Sequence, residues 1–387
     1  MKKILLIGCG AEIGSMLLNL NNPKKDKFKI DTVITNKITS ISKDNKEDLQ
    51  SIYSRLVIAE PSLVNLVKLN YKDNSITLNK NKIKFIFSNI HKFNFKKFKK
   101  KFYATIVATS KKDISNKILM KNFLKCSNYV FGVAESKTLP SIYPNLIGIN
   151  LKHFQKKPKN INSSKNKIFA LGSCQSNGWQ AQLRALFEVL NKLNLNNIKV
   201  LGTELDIVHP DTPQGRLGTK SIKPREQDAR NNLRPSFSQA NISMKKIFPL
   251  AHTINTISLR TLTSPPGYQI SRFYLQVDEK KSFKNLKEIF VSEMKKFSKK
   301  NPYVFQISET SLGSKAFEMT ETGAVILIDK EYFKILKNPF KFSITKTNNT
   351  FYEIIMQSYV HNTRGYCRSV IETIKNISLK KKTFYWN

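Results

Sequence analysis

Seven residues near the start constrain the fold more than any others: Gly8-Cys9-Gly10-Ala11-Glu12-Ile13-Gly14. A strand-forming run, residues 3–7, leads into them, and a helix-forming stretch follows at once. Only 14 glycines occur in 387 residues, yet three fall in this turn. Glycine is needed where a strand-to-helix turn is tight and where backbone must approach a pyrophosphate, whose charge then rests on the free N–H groups of the helix start. The segment predicts a strand–turn–helix unit that binds a dinucleotide through Gly8, Gly10, Glu12 and Ile13. Its spacing is GxGxxxG rather than GxGxxG. The apolar run of residues 4–7 is shorter than the ~7–15 residues of a secretory leader. A cytoplasmic location is expected, in keeping with a free reactive thiol.

The next stretches extend the pattern. Residues 28–35 (FKIDTVIT) read as the second strand, and its tip selects the cofactor. An acidic residue there would bind the ribose hydroxyls of NAD. The tip instead reads Asn36-Lys37-Ile38-Thr39-Ser40, so NADP is as well matched as NAD. Residues 104–110 (ATIVATS) read as a strand ending in Thr109 and Ser110, both expected near the cofactor. Residues 114–124 read as a helix and 128–133 as a further strand. This alternation predicts an α/β fold with a Rossmann-like, doubly wound parallel sheet over residues 1–173.

Charge could point elsewhere. The formal net charge is +39, which by itself suggests nucleic acid or an anionic surface. With 40% hydrophobic residues the chain can build a core, so it is no disordered basic tail. No apolar stretch approaches the ~18 residues of a spanning helix. Four cysteines without a CxxC pair exclude a disulfide scaffold, and no metal site is expected. The excess is nearly all lysine, travelling with Asn, Ile and Phe, as in residues 91–102 (HKFNFKKFKKKF). That run interleaves aromatics with cations, as single-strand binders do, but an amphipathic surface segment accounts for it equally simply. Between residues 168 and 275 there are only six lysines but seven of the ten arginines. Arginine grips phosphates and carboxylates with a planar fork. Chemistry is therefore expected in that stretch.

Its first part reads KIFALGSCQSNGWQ, residues 167–180. A strand ends at Gly172, and Ser173-Cys174-Gln175 opens a helix. A thiolate at a helix N-terminus is stabilised by the free N–H groups and the dipole, and those N–H groups can serve as an oxyanion hole. Cys126 and Cys367 read as packing residues, Cys9 as part of the turn, and His91, His153 and His252 as structural.

At these residues the chain resembles the phosphorylating glyceraldehyde-3-phosphate dehydrogenases. Gly-Ser-Cys-Gln-Ser-Asn is similar to their Ser-Cys-Thr-Thr-Asn. Residues 204–210 (ELDIVHP) resemble the strand that delivers the family's catalytic histidine, here His209. Residues 211–234 resemble its S-shaped loop, with Thr212 at a phosphate-binding threonine. Residues 232–238 (NLRPSFS) resemble the next phosphate loop, with Ser238 in place of Thr. Residues 258–263 (SLRTLT) resemble the segment whose arginine contacts substrate phosphate, here Arg260. Residues 358–366 (SYVHNTRGY) place Asn362 against the nicotinamide amide.

The resemblance implies oxidation of a phosphorylated aldehyde by NAD or NADP. Cys174 would form a thiohemiacetal and then a thioester, His209 would be the base, and inorganic phosphate the acyl acceptor. Ser173, Gln175, Thr212, Ser238 and Arg260 would hold substrate or phosphate. It also implies an α+β catalytic domain over residues 174–361 with a mainly antiparallel sheet, the C-terminal helix in 362–387 completing the first domain, and a homotetramer. Departures fall at the phosphate sites: Gln175 replaces a threonine, Gln239 a glycine, and His361 and Thr363 the acidic neighbours of Asn362. A related semialdehyde dehydrogenase or acyl-phosphate reductase is one alternative. A non-catalytic basic scaffold binding nucleic acid is another. Neither a membrane nor nucleic acid is the expected partner.

Overall fold

The computed structural model describes residues 1–10, 12–37, 45–99, 101–146, 149, 158, 161–163, 165–193, 198–210, 233–278, 285–338 and 349–379. The fold is mixed α/β with two large sheets. The chain divides into two compact units. The first comprises Met1–Pro144, Asn162–Gly172 and Val370–Asn387, the second Asn145–Ile161 and Ser173–Ser369.

In the first unit, chain order is β1 (Lys2–Ile7), α1 (Glu12–Leu20), α2 (Pro23–Asp26), β2 (Phe28–Thr35), α3 (Lys46–Ala59), β3 (Lys68–Asn70), β4 (Ser75–Leu78) and β5 (Asn81–Phe87). Then come β6 (Phe102–Val107), α4 (Lys111–Ser115), α5 (Lys117–Phe123), β7 (Ser127–Gly132) and β8 (Ile168–Ala170). The sheet runs β3-β4-β5-β2-β1-β6-β7-β8. Pairing from β5 to β8 is parallel, and β3 and β4 add an antiparallel edge. Leu5, Ile7, Val107 and Val130 are fully buried at its centre, the near-continuous apolar strands that a sheet covered on both faces requires.

Two expected boundaries shift for local reasons. The strand expected over 104–110 ends at Val107, because Ser110 leaves it to cap α4, accepting from Asp113 N–H at 3.2 Å. The helix expected over 114–124 is two helices broken at Asn116, whose Oδ1 caps the second by accepting from Ile118 and Leu119 N–H at 3.1 Å. Short polar side chains favour such caps over helix interiors. The aromatics of the basic run turn inward. Phe95 is buried in the hydrophobic core, and Phe93 and Phe98 pack against that cluster. Phe95 meets Phe123 edge-on at 4.8 Å. These rings contribute to packing.

The second unit continues with α6 (Cys174–Lys192), β9 (Ile198–Pro210), β10 (Arg234–Pro235), α7 (Ala240–Ile247), β11 (Thr253–Thr261), β12 (Gly267–Asp278) and α8 (Leu286–Lys300). It ends with β13 (Phe305–Ser308), β14 (Ala324–Leu327), β15 (Phe333–Lys337), β16 (Asn349–Val360) and the start of α9 (Arg364–Ser378). Sheet order is β10-β11-β9-β12-β16-β14-β13, with β15 also on β16. The long pairs β9–β12 and β12–β16 are antiparallel, while β9–β11 and β13–β14 are parallel. Alternation on β12 buries Gln269, Ser271, Phe273, Leu275 and Val277 and leaves Tyr268, Ile270, Arg272 and Tyr274 on the other face.

Helix α6 packs on the buried face. A Cβ on Gly178 would lie 2.4 Å from Val360 and 2.8 Å from Gln269 Oε1, so glycine permits the close seating. Trp179, fully buried, donates its Nε1–H to Thr203 Oγ1 at 3.1 Å. Among the described residues no helix is long and apolar enough to cross a membrane.

Candidate active site

Cys174 is the first residue of α6, and Ser173 is its cap. Ser173 Oγ accepts from Ser176 N–H at 3.2 Å and lies 2.8 Å from Ser176 Oγ, which accepts from Ser243 Oγ of α7 at 2.8 Å. Asn145 donates to Asn177 O and Oδ1 at 2.8 and 2.9 Å, and Asn177 donates to Ser369 Oγ at 3.0 Å. This buried net fixes the start of the helix, where backbone N–H groups and the dipole favour negative charge. Cys174 is partly exposed and forms no disulfide. The other three are buried. Burial pushes the Cys9 thiol up to about 12 and the Cys126 thiol up to about 11, which leaves both inert near neutral pH.

The residue after the thiol ties it to the rest of the site. Gln269 on β12 donates its Nε2 to the Gln175 backbone carbonyl at 3.2 Å and also to Gln175 Oε1. A carbonyl only accepts, so these contacts orient both amides. Gln175 Nε2 is then turned to donate to Asn362 Oδ1 at 3.0 Å. Asn362 Nδ2 in turn faces His209 Nδ1 at 3.5 Å.

His209 lies near the end of β9 and is 9% exposed. Its Nδ1 lies 2.5 Å from the Pro210 carbonyl oxygen. A ring lone pair would be repelled at that distance, so Nδ1 carries the proton and donates it. The lone pair is on Nε2, the tautomer a general base needs. Arg260 Nη1 is 3.3 Å from the same Nδ1. That approach and the Asn362 approach are contacts between donors and not hydrogen bonds. Arg260 is 4% exposed and sits beside His209 in the β9–β11 register.

Other expected site residues take supporting positions. Ser238 Oγ accepts from Ala240 N–H at 3.2 Å at the start of α7. Ser110 caps α4, as described above. Thr212 lies outside the described residues, as does most of the S-shaped loop expected over 211–234. Residues 38–40 of the second-strand tip also lie outside them, while Asn36 and Lys37 follow β2 and are exposed.

The glycine turn of the first unit is built by backbone. Gly8 has φ +89°, and a Cβ there would lie 2.7 Å from Ala108 O. A Cβ on Gly14 would lie 2.2 Å from Gly8 O, so the helix rests directly on the turn. A Cβ on Gly10 would meet nothing within 4 Å. Thr109 Oγ1 is buried without a hydrogen-bond partner, and Thr109 Cγ2 would lie 2.9 Å from a Cβ on Gly8. Glu12 and Ile13 form the first turn of α1. Arg55 of α3 donates Nη1 to the Gly10 carbonyl. A pyrophosphate fits this arrangement: open space at Gly10, a hydroxyl seeking a partner and a guanidinium at the rim. Among the described residues no group of three or more His, Cys, Asp or Glu could hold a metal ion.

Sequence reasoning missed Gln269 and Arg55 as site residues. Gln269 had a signal, because a large polar side chain stands at an inward position of the β12 alternation. A cavity of about 380 Å³, lined by Val208, Thr261, Tyr268, Tyr332 and Tyr359 among others, opens on the opposite face of the sheet from His209 and Arg260. It is therefore not part of the Cys174 site. No protein-family model matches the chain, and no curated protein matches it.

Proposed function

We propose that the protein is an NAD(P)-dependent dehydrogenase that oxidises a phosphate-bearing aldehyde through a thioester on Cys174. The observation that carries this reading is the cluster that gathers Gln175, next to the thiol, its hydrogen-bond acceptor Asn362, and His209 in contact with Asn362, with His209 Nδ1 donating to Pro210 O. Cys174 Sγ attacks the aldehyde carbon, and the first-turn N–H groups of α6 stabilise the oxygen that becomes negative. His209 Nε2 takes the proton of the resulting thiohemiacetal hydroxyl as hydride leaves the same carbon. A bound nicotinamide supplies the two-electron acceptor for that hydride. Inorganic phosphate then attacks the thioester, the Cys174 thiolate leaves, and an acyl phosphate is released. Water in place of phosphate would give the free acid. Arg260 anchors the substrate phosphate beside His209.

In this reading the mostly parallel sheet of the first unit is Rossmann-like and binds the dinucleotide. Support comes from the glycine roles: Gly8 for the turn, Gly14 for close helix packing, Gly10 for open backbone. The tip sequence Asn36-Lys37-Ile38-Thr39-Ser40 contains no acidic residue, which suits NADP as much as NAD. A homotetramer follows from the resemblance alone, and a cytoplasmic location suits a reactive thiol. The inward-turned Phe95 and its neighbours weigh against a nucleic-acid role for the basic run.

The test is a screen of phosphorylated and unphosphorylated aldehydes with NAD or NADP, each with and without inorganic phosphate, followed by reduced-nicotinamide absorbance. Phosphorylated aldehydes should give the fastest reduction, with phosphate accelerating it. No reduction with any aldehyde would sink the proposal.

A further inference from the structure

We propose that Gln269 is a positioning residue. Acting through Gln175, it holds the Asn362 amide with its nitrogen towards the site, ready to donate to a carbonyl oxygen of the ligand. That this ligand is a nicotinamide rests on the dehydrogenase reading above; the held orientation does not.

Gln175, His209, Gln269 and Asn362 all belong to the second unit. Gln269 is fully buried on the inward face of β12, and Gln175 is buried at the start of α6. Gln269 Nε2 donates to the Gln175 backbone carbonyl at 3.2 Å and to Gln175 Oε1. A backbone carbonyl only accepts, so the end of Gln269 that faces it must be the nitrogen. That choice passes along. Gln175 must turn its oxygen to Gln269, which leaves its Nε2 to donate to Asn362 Oδ1 at 3.0 Å. Asn362 then has only its Nδ2 to present on the other side, where it faces His209 Nδ1 at 3.5 Å.

Two observations mark this orientation as imposed rather than locally preferred. The first is what Asn362 faces. His209 Nδ1 already donates to Pro210 O, and Arg260 Nη1, another donor, lies 3.3 Å from it. A donor facing a donor gains nothing, whereas an amide oxygen in that place would accept. Asn362 Nδ2 therefore has no acceptor among the described residues, although the side chain is partly exposed and open to a ligand. The second is Gln269 itself. Its Oε1 is buried without a hydrogen-bond partner, 2.8 Å from the place that a Cβ on Gly178 would take. A methionine of similar volume would fill the site and leave no oxygen unpaired. Stability does not account for an amide at this position, and the donor that it offers to Gln175 does. A carboxamide oxygen suits the waiting Asn362 nitrogen, and a carboxamide is the group that the resemblance places against Asn362.

The test uses Gln269→Met in the full chain, with Gln269→Leu as a smaller replacement should the first not fold; melting curves check folding. Fluorescence titration should find NADH or NADPH bound at least about fivefold more weakly, the range of one neutral hydrogen bond. ADP-ribose, or its phosphorylated form where NADPH binds better, lacks the nicotinamide and should keep its affinity within about twofold. Gln175→Met should lose as much dinucleotide affinity, and the double variant no more than either single one, because both break the same chain of contacts. In the ligand-free protein, the side-chain amide NMR signals of Asn362, identified by their absence in Asn362→Asp, should move in Gln269→Met. Unmoved signals overturn the proposal, as do full dinucleotide affinity in a folded variant or an equal loss for ADP-ribose. Moved signals in a protein that binds neither dinucleotide would keep the held amide and remove the dehydrogenase reading. Aldehyde oxidation with dinucleotide affinity indifferent to Gln269 would do the reverse.

Discussion

Two strand-to-helix junctions each carry a cysteine, one in each unit, and the cysteines meet opposite fates. At Gly8–Gly14 the backbone dominates: Gly8 takes φ +89°, Gly14 lies against Gly8 O, and Cys9 is sealed beneath with its thiol pushed up to about 12. At the start of α6 the side chains dominate. Ser173 caps the helix, Cys174 stays partly exposed, and Gln175 donates to Asn362. The first junction presents amide N–H groups and the second presents a thiol. Burial, rather than position at a helix start, separates the inert Cys9 from the partly exposed Cys174.

The contrast is most easily broken at the thiols. Cys174→Ser should lower aldehyde oxidation by at least about a thousandfold while nucleotide binding persists; fluorescence titration of the reduced cofactor against steady-state turnover separates the two effects. Retained turnover would end the claim that the second junction is the reactive one.

Gly14→Ala tests the first junction as a packing device. Its Cβ would fall 2.2 Å from Gly8 O, so about 3 kcal/mol of stability should be lost, the upper range for overpacking. Denaturant midpoints measure this, and a change under about 1 kcal/mol would refute the close seating of α1.

A third test is pH. His361 Nδ1 accepts the Thr363 and Arg364 N–H groups at 3.4 and 3.1 Å and so caps α9 in its neutral form. Burial pushes its imidazole down from 6.5 to about 4, reinforced by Arg364 and opposed by a backbone hydrogen bond with Glu318. The unfolded chain therefore binds this proton more readily than the folded one. Stability from this group is complete above pH ~6.5 and falls as pH drops towards about 4, by roughly 3 kcal/mol in all. His361→Gln should flatten that part of the profile, and an unchanged slope in chemical denaturation between those pH values would refute it.

The smallest effect belongs to Gly10→Ala, which meets open space. Folding stability should change by under about 0.5 kcal/mol, while affinity for NAD(P) falls several-fold by titration. Equal loss of both would mean that Gly10 is structural, and the difference between Gly10 and Gly14 would disappear.

Much of the fold was legible because it is written in neighbours. Residues 28–35 were expected as a strand and form β2 without a shift, since an apolar run bounded by polar residues has one good conformation there. Boundaries went astray where a single side chain diverts the backbone, as Ser110 and Asn116 do by capping. The twelve-residue strand β16 was not foreseen as a whole, because its exposed face is itself partly apolar, with Phe351 and Ile355, and period-two alternation is blurred. In the site, Cys174 was readable from its place at a helix start. Gln269 was not, because nothing local says which partner an inward glutamine will find.

The sequence alone determined the glycine turn, the cysteine at a helix start and the alternation that sends His209 and Arg260 inward, because each depends on residues within a few positions of one another. Only tertiary structure decided that they meet. His209 reaches Arg260 across 51 residues, Gln269 reaches Gln175 across 94 and Asn362 reaches His209 across 153. Strand order and register set those encounters, and both are fixed by packing one face of the whole sheet against α6 and α7 rather than by any local preference.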